Sequence, residues 1–85
     1  MIQPDITQRV LDLAAEQTTV PRDQITPESA FTADLSFDSL AAVEFAMQME
    51  DEFEIQVPDD AIARMTTVRE AIEFVEQELS KTAAT

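Results

Sequence analysis

Apolar residues recur at helical spacing in three separate segments of this chain, and that periodicity restricts the fold more than any other feature. Residues 5 to 17 place Ile6, Val10, Leu13, Ala14 and Gln17 on one face, with Pro4 and Asp5 at a suitable helix start. A second helix is expected over residues 39 to 53, running to about Glu54. A last one begins at "TTVREA", where Thr67 and Glu70 match a capping box, and carries a stripe of Val68, Ala71, Ile72, Val75 and Leu79. Between them "PDDAIAR" predicts a short helix with Pro58 in its first turn and two acids suited to the helix dipole. The one alternating run, "FEIQV", would be a strand with nothing to pair with. The expected fold is therefore all-α: a small four-helix bundle with three longer helices, one short helix and a long first loop.

That loop, residues 18 to 38, is long for so small a protein, and Val20, Ile25, Phe31 and Leu35 are available to tack it onto the core. Eighty-five residues leave room for one domain, expected to have its core at about 4 to 80 and a frayed tail, "KTAAT", at 81 to 85.

Histidine and cysteine are both absent. The commonest general base, thiolate metal sites, disulfides and a cysteine nucleophile are therefore all missing, which argues against catalysis by this chain alone. The N-terminal segment has acids where a signal peptide carries bases, and no run approaches the roughly 20 apolar residues of a membrane span. A soluble, cytoplasmic monomer is expected.

The formal charge is −13, and its distribution is informative. Residues 23 to 63 contain eleven acids and no lysine or arginine. Such a field repels nucleic acid and anionic membranes and attracts basic protein surfaces. A solvated acidic face that only aids solubility is the alternative, and the second helix bears on the choice. At about 100° per residue, Ala42, Phe45, Ala46, Met49 and Phe53 fall on one core arc. Leu40, Val43 and Met47 fall on another, flanked by Glu44, Glu50, Asp51 and Glu54. In a small bundle one helix can touch neighbours on two sides, so a core role for the second strip is the competing reading. Carboxylates edging an apolar strip favour a docking face for basic partners.

Ser39 stands at the N-terminal end of that strip. Asp38 or Ser39 can cap the helix, and a catalytic triad has no histidine to complete it. A hydroxyl modified by another enzyme remains, since a helix N-terminus favours an attached phosphate.

The run "DLSFDSLAAVEFAMQMEDEFEIQVPDDAIARMTTVREAIEFV" resembles acyl carrier proteins, whose pattern is D-L-G-x-D-S-L-D-x-V-E, an apolar and acidic helix, "EEEF", "IPD" and "T-V-x-x-A". With the similar upstream segment, the resemblance spans about residues 4 to 80. It implies that Ser39, beside Asp38, carries 4′-phosphopantetheine, moved from coenzyme A by a Mg²⁺-dependent phosphopantetheinyl transferase. It also implies acyl groups held on that arm as thioesters and passed between enzymes of fatty acid, lipid or related acyl biosynthesis. Leu40, Val43, Glu44, Met47, Glu50 and Asp51 would dock the basic patches of those enzymes. Phe45, Met49, Ile62 and Val75 would line an acyl pocket that methionine helps to repack.

The chain departs from the family pattern at Ser36, where the family has a turn glycine, at Thr19, another glycine position, and at Ala41, which replaces an acid. With no glycine anywhere, a positive-φ position must be filled by another residue or avoided. These changes bear on partner choice and point to a specialised carrier. The other readings are an aminoacyl or peptidyl carrier, whose serine flanks are commonly glycine-rich, and an unmodified acidic interaction module. An EF-hand is excluded by its missing acid pattern and central glycine.

Overall fold

A computed structural model describes residues 4–83. Its elements are α1 (Pro4–Glu16), a single 3₁₀ turn (Arg22–Gln24), α2 (Ser39–Phe53), α3 (Asp59–Arg64) and α4 (Val68–Ala83). Among the described residues there is no paired strand, only an isolated bridge between Ala30 and Thr67. The expected all-α bundle of three longer helices and a short one is what the chain forms.

Each long helix buries most of the stripe its period calls for, with Leu13, Ala42, Phe53 and Leu79 partly buried at its edge. Ile6, Val10, Leu11 and Ala14 of α1 meet Val68, Ala71, Ile72 and Val75 of α4 in one core, with Phe45, Ala46 and Met49 of α2. Leu11 is buried where the periodicity favoured Leu13, which is half-buried together with Gln17. "FEIQV" does alternate in burial, with Ile55 and Val57 inward, but Phe53 belongs to α2 and the rest is a connecting segment, not a strand. α4 continues through Lys81 to Ala83, and Lys81 pairs with Glu78 at 3.1 Å, so the tail expected to fray at 81 is helical for three more residues. Residues 84 and 85 of that expectation lie outside the described residues.

The start of α4 organises the long first loop. The first amides of a helix have no partner within it. Here Val68 N donates to Ser29 O at 3.0 Å, Arg69 N donates to Pro27 O at 2.7 Å, and Phe31 N returns a bond to Thr66 O at 2.9 Å. The capping box forms reciprocally: Thr67 N donates to Glu70 Oε1 at 2.9 Å, and Glu70 N donates to Thr67 Oγ1 at 3.4 Å. Thr66 N donates to the same Glu70 oxygen at 2.6 Å. Arg69 is ion-paired with Glu28 from the loop, and Arg22 ties the loop's 3₁₀ turn to Asp12 of α1 at 2.6 Å.

Two residues, Ser36 (φ 57°) and Glu54 (φ 55°), adopt the left-handed conformation among those described. Both do so without glycine. Ser36 occupies the turn that the family pattern gives to glycine, and Glu54 ends α2. A non-glycine residue there costs roughly 1–2 kcal/mol. Replacing Ser36 by Gly removes that cost but adds unfolded-chain entropy of about 0.5–1 kcal/mol. Ser36→Gly should therefore raise the melting temperature slightly and Ser36→Val should lower it; thermal denaturation of both variants checks the sign.

Backbone hydrogen bonds from Thr66 and Thr67 hold the Glu70 carboxyl below the usual glutamate range. A depressed folded pKa means stability that is present above the ordinary glutamate value, about 4.3, and lost as pH falls through the lower folded value. The melting-temperature advantage of wild type over Glu70→Gln should be largest at neutral pH and shrink steadily below about pH 4.

Candidate functional site

The chain reaches α2 through Phe37, which is buried although it lies in a loop. Its ring packs with Phe31 at 5.1 Å and Phe45 at 5.7 Å between centroids, and Phe31 meets Phe45 at 5.3 Å. Phe37 N also donates to Phe31 O at 2.9 Å. This aromatic cluster was not legible in the sequence, because Phe37 belongs to no periodic stripe. The Ser36 turn is what directs it inward.

With Phe37 anchored, Asp38 becomes the N-cap of α2, its Oδ1 accepting from Ala41 N at 2.7 Å. Capping thus falls to Asp38 alone. Ser39 is the first helical residue, exposed, and its hydroxyl has no hydrogen-bond partner among the described residues. A helix start with a solvent-facing, unengaged hydroxyl suits an attached phosphoryl group.

Ser39 opens onto a cleft of about 680 Å³ between α2 and α3. Its exposed rim carries Thr32, Asp38, Ser39 and Asp59; its buried floor is formed by Phe31, Phe37, Phe45, Ala46 and Met49. Ile62, Ala63 and Met65 close the α3 side. Of the expected pocket residues, Phe45, Met49 and Ile62 line this cleft. Val75 does not: the α4 stripe turns it fully into the core. α3 itself has no buried residue and packs chiefly on α2, so that wall is the less firmly held one. Pro58 stands one position earlier than expected, at the N-cap of α3.

The second strip of α2 faces solvent. Leu40, Val43 and Met47 are 65%, 46% and 57% exposed, and they are the large exposed hydrophobics among the described residues. Burial of that strip in the bundle, the competing reading, is not what the packing gives. Glu44 and Asp51 are exposed beside it and make no ion pair among the described residues. Glu50 is engaged within the fold, where its Oε2 accepts from Val57 N at 2.8 Å and holds the segment after α2. All five cationic side chains have carboxylate partners, and Arg9 takes Glu52 at 3.0 Å. No described helix is long and apolar enough to cross a membrane.

This geometry defines a presenting helix, with an accessible serine at its head, an apolar cleft beside it and an adjoining acid-edged apolar strip that shares Val43 with the cleft. The family model for the phosphopantetheine attachment site matches residues 8–75. The acyl carrier protein of Cyanidioschyzon merolae is 40% identical over 77 residues, 91% of this chain and 85% of its own length. That of Chlorobium phaeobacteroides is 40% identical over 75 residues, 88% of this chain and 96% of its own. A solved structure of the acyl carrier protein from Enterococcus faecalis superposes with a TM-score of 0.76 at 26% identity, covering 92% of this chain and 99% of that one. The chain belongs to the phosphopantetheine attachment family, among its acyl carrier proteins. It is accordingly a carrier and not a catalyst, and its prosthetic group is covalent 4′-phosphopantetheine.

Two methionines on the same helix separate core from surface. Met49, fully buried, should cost about 2–5 kcal/mol when truncated to alanine, whereas Met47→Ala should stay within about 0.5 kcal/mol of wild type. Denaturant unfolding of the two variants measures the contrast.

Proposed function

We propose that Ser39 is the residue that carries 4′-phosphopantetheine, and that the protein shuttles acyl groups among cytoplasmic enzymes of fatty acid or related lipid synthesis. The observation that carries this reading is the division of labour at the head of α2: Asp38 makes the cap, and Ser39 keeps an exposed hydroxyl without a partner.

In the loading step the Ser39 oxygen forms a bond to phosphorus while the pyrophosphate bond of coenzyme A breaks. Adenosine 3′,5′-bisphosphate leaves, and the hydroxyl proton passes to a base on the transferase, since this chain has no histidine to receive it. When bound, the arm supplies the thiol that this cysteine-free chain lacks and holds acyl groups as thioesters.

The chain's own residues then govern access. The first turn of α2 favours the phosphate through its open amides. Asp38 and Asp59 on the rim oppose close attachment of a second anion, and no cation lies anywhere in residues 23 to 63 to clamp it. The arm is thereby tethered without being pinned, as a shuttle requires. The apolar floor of Phe45, Met49 and their neighbours receives the acyl chain between transfers. Leu40, Val43 and Met47 supply the apolar contact for partner enzymes, and Glu44 and Asp51 select partners with basic patches.

Incubation with coenzyme A, Mg²⁺ and a broad-specificity phosphopantetheinyl transferase, followed by intact mass measurement, tests the assignment. The protein should gain one phosphopantetheine mass, and Ser39→Ala should gain none. No gain in wild type, or a gain that persists in the variant, overturns it.

A further inference from the structure

We propose that the Thr32 hydroxyl is the hydrogen-bond donor that holds a carbonyl of the prosthetic arm when the arm folds into the α2–α3 cleft. This rests on attachment at Ser39.

Phosphopantetheine contains two amide groups, and an acylated arm adds a thioester carbonyl. A carbonyl taken from water toward an apolar floor loses its hydrogen bonds unless the protein replaces them. The residues around this cleft are rich in acceptors and poor in donors. Asp38 and Asp59, when ionised, only accept. Ser39 and Thr32 are the two side chains lining the cleft that carry an O–H or N–H donor. Esterification removes the Ser39 O–H, so a loaded carrier keeps Thr32 alone. The open amides at the head of α2 serve the phosphate beside Ser39.

Thr32 is also held in place for this use. On one side Phe31 is tied at both backbone groups, donating to Thr66 O and accepting from Phe37 N, each at 2.9 Å. Around it the turn is closed by Asp34, whose Oδ2 accepts from Ala30 N at 2.7 Å. The Thr32 backbone therefore sits on a fixed turn, while its hydroxyl has no partner among the described residues. An anchored donor without a partner, on the rim of an apolar cleft, loses little freedom when it engages a ligand. Thr32 is thus a positioning residue for the arm. An exposed threonine with no role beyond solubility predicts no dependence of the cargo on its hydroxyl.

The test loads wild type, Thr32→Val and Thr32→Ser with octanoyl-phosphopantetheine from octanoyl-coenzyme A. Loading is confirmed by mass before anything else is measured. Cleavage of the thioester by hydroxylamine is then compared with that of octanoyl-coenzyme A, and ¹³C labels are placed at the arm amide carbonyls or at the thioester carbonyl. Wild type should be cleaved more slowly than octanoyl-coenzyme A. Thr32→Val should speed cleavage about three- to tenfold, the effect of one lost hydrogen bond, and Thr32→Ser should restore protection. The label whose shift moves in Thr32→Val tells whether an amide or the thioester is the carbonyl held. Melting of the apo forms should differ little, because the substitution lies on the surface. Full loading with equal cleavage and unmoved labels in Thr32→Val overturns the inference alone, as does a wild type cleaved as fast as octanoyl-coenzyme A. Failure to load at Ser39 removes the attachment reading and this one with it.

Discussion

The rings of Phe31, Phe37 and Phe45 meet at 5.1 to 5.7 Å, and the position of the head of α2 depends on that contact. A long loop without glycine has few ways to turn sharply, so its course must be set by what it buries. Phe31 is fastened to the start of α4 through Thr66, and Phe45 belongs to α2. Phe37 joins the two, one residue before the helix cap. Aromatic pairs of this kind contribute about 0.5–1.5 kcal/mol each beyond simple burial. They add to the hydrogen bonds that hold the segment before Asp38, from Phe37 N to Phe31 O and from Thr18 Oγ1 to Leu35 O. The left-handed turn at Ser36 is the local cost of bringing Phe37 inward, and the buried ring is what offsets it.

Once that end is fixed, α2 can serve two environments. Its inner arc supplies Phe45, Ala46 and Met49 to the core, and its outer strip leaves Leu40, Val43 and Met47 in water. Such exposure does nothing for the stability of the isolated chain. It follows from a helix packed against α1 and α4 on one side and against only the short α3 on another. The cleft has the same origin. A six-residue α3 with no buried side chain cannot close over Ala42 and Ala46, whose small side chains leave space beside it.

The sequence made the helices legible because their cores are periodic, and it made Ser39 legible because its neighbours are. Thr67 and Glu70 could be paired in advance because a capping box is purely local. What escaped depends on contacts across the chain. Phe37 has no period to mark it. Glu50 looked like one more acid on a docking rim, but the return of the chain at Val57 gives it a backbone amide to hold. Val75 shares its stripe with residues that pack on α1, and nothing in that stripe distinguishes the side near the cleft from the side away from it. Thr32 carried no sequence signal, since its interest lies in the scarcity of donors around it.

The distribution of charge joins these features. All five cationic side chains are paired with carboxylates, and four of those pairs lie outside the acid-only segment or bridge to it from α1 and α4. The α2–α3 face therefore keeps Glu44, Asp51, Glu54 and Asp59 uncompensated among the described residues. On the proposed attachment, a phosphodiester at Ser39 makes that face more negative still. Exposed charges several ångströms apart in water interact weakly and are screened beyond about 8–10 Å, so this repulsion does not expel the arm. The open amides at the head of α2 still favour a phosphate there, and residues 23 to 63 offer no cation to add to them. On the proposed attachment, a basic partner would meet the helix acids and the phosphate together.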